Sequence, residues 1–268
     1  MSLILKGHVL STPLLRRTAV AAALVAVAAS ASALPQFTLD PSMAGLIGTA
    51  FTGDNILISD FSTVTFDGGG GFKDSGFLSV SAIQLGGTTS TPAGLNSTYG
   101  LYFAFSGKGT TVIADPRFVP TLASFTSLTY QLYGYNGPAT FGFSGNTPTE
   151  TAANEVLLAS GSLISGTAFT FPANDGKKFS AGAEALLNFA VTPGKEAFFA
   201  NPIPFYNVAN ASFVNGRETV VPFAGGFRIL QGGGSISFIA TPVPEPETYA
   251  LMLAGLAAVG FVASRRRA

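Results

Sequence analysis

Tyr99-Gly100-Leu101-Tyr102-Phe103-Ala104-Phe105 is the stretch that decides the fold class. Tyr99, Leu101, Phe103 and Phe105 occupy every second position, the period of a strand with one buried face. Leu128, Tyr130 and Leu132 repeat it, as do Leu78, Val80 and Ala82 between serines. Phe141 with Phe143, and Phe169 with Phe171, keep the same i,i+2 spacing. Turn clusters separate these runs: Asp67 followed by Gly68 to Gly71, Gly86-Gly87-Thr88-Thr89, Asn136-Gly137-Pro138, Ser144 to Pro148 and Pro172 to Gly176. About ten short strands at this spacing predict an all-β, antiparallel sandwich or jelly-roll-like single domain. Ala183 to Val191 fits a helix turn or a strand, and its Ala185/Leu187/Phe189/Val191 alternation favours the strand.

Composition agrees with a packed core. The 268 residues include 24 Phe, 32 Gly and 16 Pro, and only 10% are charged, against about 25% in an average soluble domain. There is no Cys, which excludes thiol catalysis, Cys-ligated metal and a disulfide framework. A domain of this size fills its core without such staples. The lone His8 stands near the N-terminus.

The two ends differ from the body. Lys6, Arg16 and Arg17 precede an unbroken small-apolar run from Thr18 to Ala29, and Ala31-Ser32-Ala33 supplies small side chains at a cleavage site. Residues 1–33 are therefore predicted to be a signal peptide forming a helix and cut after Ala33 by signal peptidase. At the other end, Pro244-Glu245-Pro246 leads into the apolar stretch Tyr249 to Ala263, then Arg265, Arg266 and Arg267. Fifteen helical residues span about 22 Å, short of a ~30 Å hydrocarbon core, so crossing requires snorkelling arginines and local thinning. The arginines hold that end in the cytoplasm and give transient membrane anchoring. The domain plan is a signal peptide at 1–33, an exported domain at 34–242 and a sorting segment at 243–268.

The order Pro-Glu-Pro, apolar helix, arginine cluster resembles the tripartite tail of PEP-CTERM proteins of Gram-negative bacteria. The resemblance implies removal of the tail by exosortase, an intramembrane cysteine transpeptidase-like enzyme, and delivery to the cell surface or extracellular matrix. Gln36-Phe37-Thr38-Leu39-Asp40 is similar to the Gln-Phe-x-x-Asp start of a branch associated with flocculation; Gln36, Phe37 and Asp40 carry that likeness. The glycine-rich run Gln231 to Phe238 is similar to the same branch. Together these imply a role in floc or biofilm formation with exopolysaccharide.

Between residues 34 and 243 twelve acids face eight bases, a net charge near −4. A nucleic-acid partner needs a basic stripe, and none is present. Catalysis also lacks its usual parts. With His8 in the removable segment no serine triad can be built, and no lysine stands three residues after a serine. Gly68 to Gly71 has no Gly-Lys-Ser/Thr sequel and reads as a turn rather than a phosphate cradle. No cofactor motif is present, and the chain is read as non-enzymatic. The alternative is a secreted polysaccharide-binding protein, or a polysaccharide-active enzyme using two of the twelve carboxylates. Asp54, Asp60, Asp67 and Asp74 recur every six or seven residues, so loops at one edge are a candidate Ca²⁺ site beside the plainer reading of solvated turns. Tyr99, Tyr102, Tyr130, Tyr133 and Tyr135 are a candidate sugar-stacking platform, against inward packing of Tyr130. Asn96-Ser97-Thr98 and Asn210-Ala211-Ser212 are glycosylation sequons.

Overall fold

A computed structural model describes residues 34–113, 117, 119–173 and 178–240. The predicted signal helix, the cleavage site at Ala31 and Ala33, and the tail with Pro244, Glu245, Pro246 and Arg265 to Arg267 lie outside the described residues.

Eight long strands form one antiparallel sheet that closes on itself. They are β3 (Asn55–Phe66), β4 (Gly71–Leu85), β6 (Tyr99–Thr111), β7 (Thr121–Asn136), β10 (Val156–Pro172), β11 (Phe179–Asn188), β13 (Val208–Asn215) and β15 (Gly226–Phe238). Each pairs with the next in this order, and β15 pairs back onto β3, with Gly232 opposite Asp60 and Ile236 opposite Ile56. Two short strands, β5 (Thr88–Ser90) and β14 (Val220–Phe223), form hairpins with β4 and β15. The result is an up-and-down barrel of eight strands, each of the eight paired on both sides. The all-β, antiparallel expectation stands; the sandwich or jelly roll gives way to a closed barrel. Period-two alternation marks which face of a strand is buried, and both architectures share it. Partner choice separates them, and that is set by long-range pairing.

Inward rows are apolar. Ile56, Ile58 and Val64 on β3, Leu78 and Val80 on β4, and Tyr99, Leu101 and Phe103 on β6 are buried. The outward rows are mostly polar, with Lys73, Ser75, Ser106, Lys108, Ser124 and Thr129 exposed, and Leu122, Phe171 and Val214 are exposed apolar exceptions near one end. A membrane-spanning barrel reverses this arrangement, with its apolar band outside. Register shifts within β4, β7, β10 and β15 mark bulges that add the coiling closure requires. Ala183 to Val191 is extended, as its alternation predicted: the end of β11, then β12 (Ala190–Val191).

One end of the barrel is sealed. β1 (Phe37–Leu39) pairs with β2 (Phe51–Gly53) there, and the segment between β12 and β13 brings Phe198, Phe199 and Phe205 beneath the strands. Phe37 meets Phe238 edge-on at 5.3 Å, and Phe205 meets Phe199 at 4.7 Å and Phe238 at 4.9 Å. A small hairpin, β8 (Phe141–Ser144) and β9 (Thr147–Glu150), folds from the β7–β10 connection over the outside of β3 and β4. Arg228 donates to the Gly145 carbonyl at 2.5 Å and stacks on Phe143, pinning the hairpin tip.

Candidate functional site

The half of the barrel away from the aromatic base is hollow. It encloses a cavity of about 100 Å³ whose wall is mostly Phe, Leu and Ala side chains. Three inward alanines of β11 (Ala181, Ala183 and Ala185) and two of β13 (Ala209 and Ala211) supply little volume where the opposite strands supply Phe103, Phe105 and Phe125. Small side chains on one wall leave the space.

Two carboxyl groups and one amide enter this apolar interior, beside the hydroxyls of Thr111, Thr121 and Thr170. Asp60 follows the inward phase of Ile56 and Ile58, and Asp74 continues that of Phe72 and Leu78. Asn215, at the end of β13, is 1% exposed and donates its Nδ2 to Asp60 Oδ2 at 3.4 Å. Gly232 makes room for it: a Cβ there would lie 1.8 Å from Asn215 Oδ1. Oδ1 of Asp60, Oδ1 of Asp74 and Oδ1 of Asn215 are buried with no hydrogen-bond partner, as is the Ser62 hydroxyl beside Asp60. Burial pushes the Asp60 carboxyl up to about 7, with nearby Ser62 and Asn215 pulling part of the way back. Burial also drives Asp74 well above the ordinary range, and the Asp60 charge raises it further. Tyr130 completes the polar set; its hydroxyl donates to the Asn188 carbonyl at 2.7 Å and is held well above its ordinary pKa by burial.

The proposed aspartate edge does not form. Asp54 and Asp67 flank β3 at opposite ends, about 40 Å apart along a twelve-residue strand. Asp54 accepts from the Gly86 amide at 2.6 Å. Asp67 accepts from Gly69 and Gly71 at 2.7 and 2.9 Å, which holds its carboxyl below the usual range and closes the β3–β4 turn. Asp60 and Asp74 are inside the barrel instead. Among the described residues no group of three His, Cys, Asp or Glu could hold a metal.

The tyrosines assemble, but not as an open platform. Tyr99 and Tyr130 point inward and are buried. Tyr102 stacks on Tyr133 at 5.4 Å outside the barrel, yet is 2% exposed beneath Phe141 of the β8–β9 hairpin. Its hydroxyl donates to Glu155, and burial with that carboxylate raises its pKa. Tyr135 is buried as well. Sugar stacking is left with half-buried Tyr133. Asn96 is also occupied, its amide donating to the Val80 carbonyl at 2.9 Å.

Gln36, Phe37 and Asp40 belong to the sealed base. The Gln36 carbonyl accepts from the Tyr206 hydroxyl at 2.7 Å, and Phe37 is fully buried. Asp40 caps the following turn, accepting from the Ser42 amide at 3.1 Å and the Ser42 hydroxyl at 2.6 Å. In this structure the three residues anchor the N-terminal segment to the barrel.

Fold and interior thus define a closed, polar-faced barrel with a small acidic hollow. Where the protein is sent is signalled outside the barrel. Residues 242–267 match the PEP-CTERM protein-sorting motif, which implies an exported protein sorted by exosortase toward the cell surface. No curated protein and no solved structure matches the chain.

Proposed function

We propose that the chain is a non-enzymatic surface or matrix protein that holds cells together with exopolysaccharide in flocs or biofilm. Its signal peptide and sorting tail are removed on the way out, after transient anchoring in the inner membrane. The observation that carries this reading is the sorting motif at 242–267, which follows in the chain a barrel whose outward rows are rich in Ser, Thr and Lys. A closed barrel has no free edge for unwanted strand pairing, which suits a protein held at high local concentration in a matrix. The likeness of Gln36 to Asp40 to the flocculation-associated branch supports the cohesive role. Polysaccharide would meet the hydroxyl-rich outer face and its turns, or glycans attached there.

The rival is a polysaccharide-active enzyme. Its two carboxylates would be Asp60 and Asp74, but both lie within an apolar interior of about 100 Å³, a poor fit for a sugar chain. Deleting the gene and restoring it with wild type or single Asp/Glu→Ala variants separates the two readings. Cohesion predicts that the deletion strain stops aggregating and that every folded, sorted acid variant restores it. A folded variant that loses aggregation and sugar release together would establish the enzyme. Normal aggregation of the deletion strain would overturn the cohesive role.

A further inference from the structure

We propose that the hollow half of the barrel binds a compact organic cation, a short primary ammonium whose head meets Asp60 and Asn215, with Asp74 further along the same wall. Its apolar body would lie among Phe105, Phe125 and Ala183. This site is independent of the cohesive role of the outer face.

Hydrogen-bond inventory selects the head. The interior presents three buried acceptor oxygens without partners, Oδ1 of Asp60, of Asp74 and of Asn215, and the buried Ser62 hydroxyl stands beside Asp60. The amide Nδ2 of Asn215 is already directed at Asp60. An ammonium offers three donors and no acceptor, so it satisfies the Asp60 and Asn215 oxygens and neutralises a buried carboxylate. An alcohol brings one donor and neutralises no carboxylate. A carboxylate ligand would add a like charge beside two acids.

Volume selects the body. An apolar cavity of ~150 Å³ accommodates benzene, so about 100 Å³ calls for a chain of roughly four carbons. The walls are aliphatic and aromatic, which matches an alkyl body. The same end of the barrel carries exposed Val112, Leu122, Phe171 and Val214, an apolar approach for such a molecule.

The probe is n-butylammonium, titrated calorimetrically at pH 8 into the full chain in lipid nanodiscs, with empty nanodiscs as the blank. 1-Butanol and calcium chloride are titrated in parallel. The expected result is saturable butylammonium binding at least tenfold tighter than butanol. It should be lost in the Asp60→Asn/Asp74→Asn double variant. Ala183→Leu keeps both carboxylates and fills the hollow, so it should abolish binding while circular dichroism shows an intact strand signal; it serves also where the double variant fails to fold. Equal affinity for butanol, binding of calcium in place of butylammonium, undiminished binding in either folded variant, or no saturable binding to wild type would each overturn the proposal.

Discussion

The two halves of the barrel are built from the same alternation and end up with opposite interiors. In the base, bulky inward side chains meet from every direction: Phe37, Phe198, Phe199, Phe205, Tyr206 and Phe238 interlock with ring centroids about 5 Å apart. In the other half, alanines on β11 and β13 face Phe103 and Phe125, and two carboxylates stand in the gap. One half is optimised for packing, and the other gives up packing and polar satisfaction. Native interiors rarely leave several buried oxygens unpaired without a use for them, so the contrast assigns stability to the base and binding capacity to the hollow.

Breaking the base should produce the largest effect. Phe198 is fully buried, stacks edge-on against Phe199 at 4.8 Å, and its carbonyl accepts from the Asp40 amide at 2.8 Å. Phe198→Ala leaves that backbone bond and removes the ring, so it should cost about 3–5 kcal/mol. A thermal melt should show Tm lowered by roughly 10 °C. A change of a degree or two would mean that the base is not the stability centre.

The hollow should respond to pH rather than to volume. Asp60 is raised from 3.8 to about 7 in the folded chain, so between those values the native state holds a proton that the unfolded state has lost. Stability contributed by that proton is complete below about pH 4 and gone above about 7, and between them it falls by about 1.4 kcal/mol as the pH climbs by one. Asp74 is displaced in the same direction, so it extends the decline to higher pH. Asp60→Asn cannot ionise, and its unfolding free energy from urea titrations should fall by a few kcal/mol less between pH 4 and pH 8 than that of wild type. Parallel wild-type and variant curves would place Asp60 in contact with water.

A glycine pair sharpens the comparison within one strand. Gly232→Ala puts a methyl 1.8 Å from Asn215 Oδ1 and must displace it from Asp60, at a cost of about 1–3 kcal/mol. Its neighbour Gly233 faces outward, and a Cβ there meets only the Val214 carbonyl at 3.9 Å. Gly233→Ala should therefore leave the urea midpoint nearly unchanged. Equal losses at both positions would show a backbone effect instead of a demand of the hollow.

Much of this is legible in the sequence because it is local. Tyr99, Leu101, Phe103 and Phe105 face inward as their spacing predicts, and Tyr130 packs with Leu132. The sorting tail is a linear pattern and can be read without any fold. Closure is hidden, since pairing β15 to β3 joins residues some 170 positions apart and leaves no mark on either strand alone. Reading Asp60 as a turn residue gives its spacing to Asp54 and Asp67 more weight than its place in a strand. Ile56, Ile58, Asp60, Ser62 and Val64 share one period-two phase, the signal that puts a carboxylate inside. The tyrosine platform fails for a different reason: the β8–β9 hairpin covers it, and nothing in Tyr102 or Tyr135 specifies what lies above them.

The smallest effect should come from the rim of the hollow half, where Lys178 contacts both Glu218 oxygens at 2.7 and 2.8 Å. This pair links the approach to β11 with the segment after β13, on the opposite end from the aromatic base. Its side chains are 48% and 82% exposed, so water and salt screen most of the attraction. Glu218→Gln removes one charge, keeps the shape, and should cost no more than about 0.5 kcal/mol at low ionic strength. At 1 M salt, where the screening length is about 3 Å, variant and wild type should melt together. A loss above about 2 kcal/mol that survived 1 M salt would mean that the rim is held as firmly as the base. The division of labour between the two halves would then have to be abandoned.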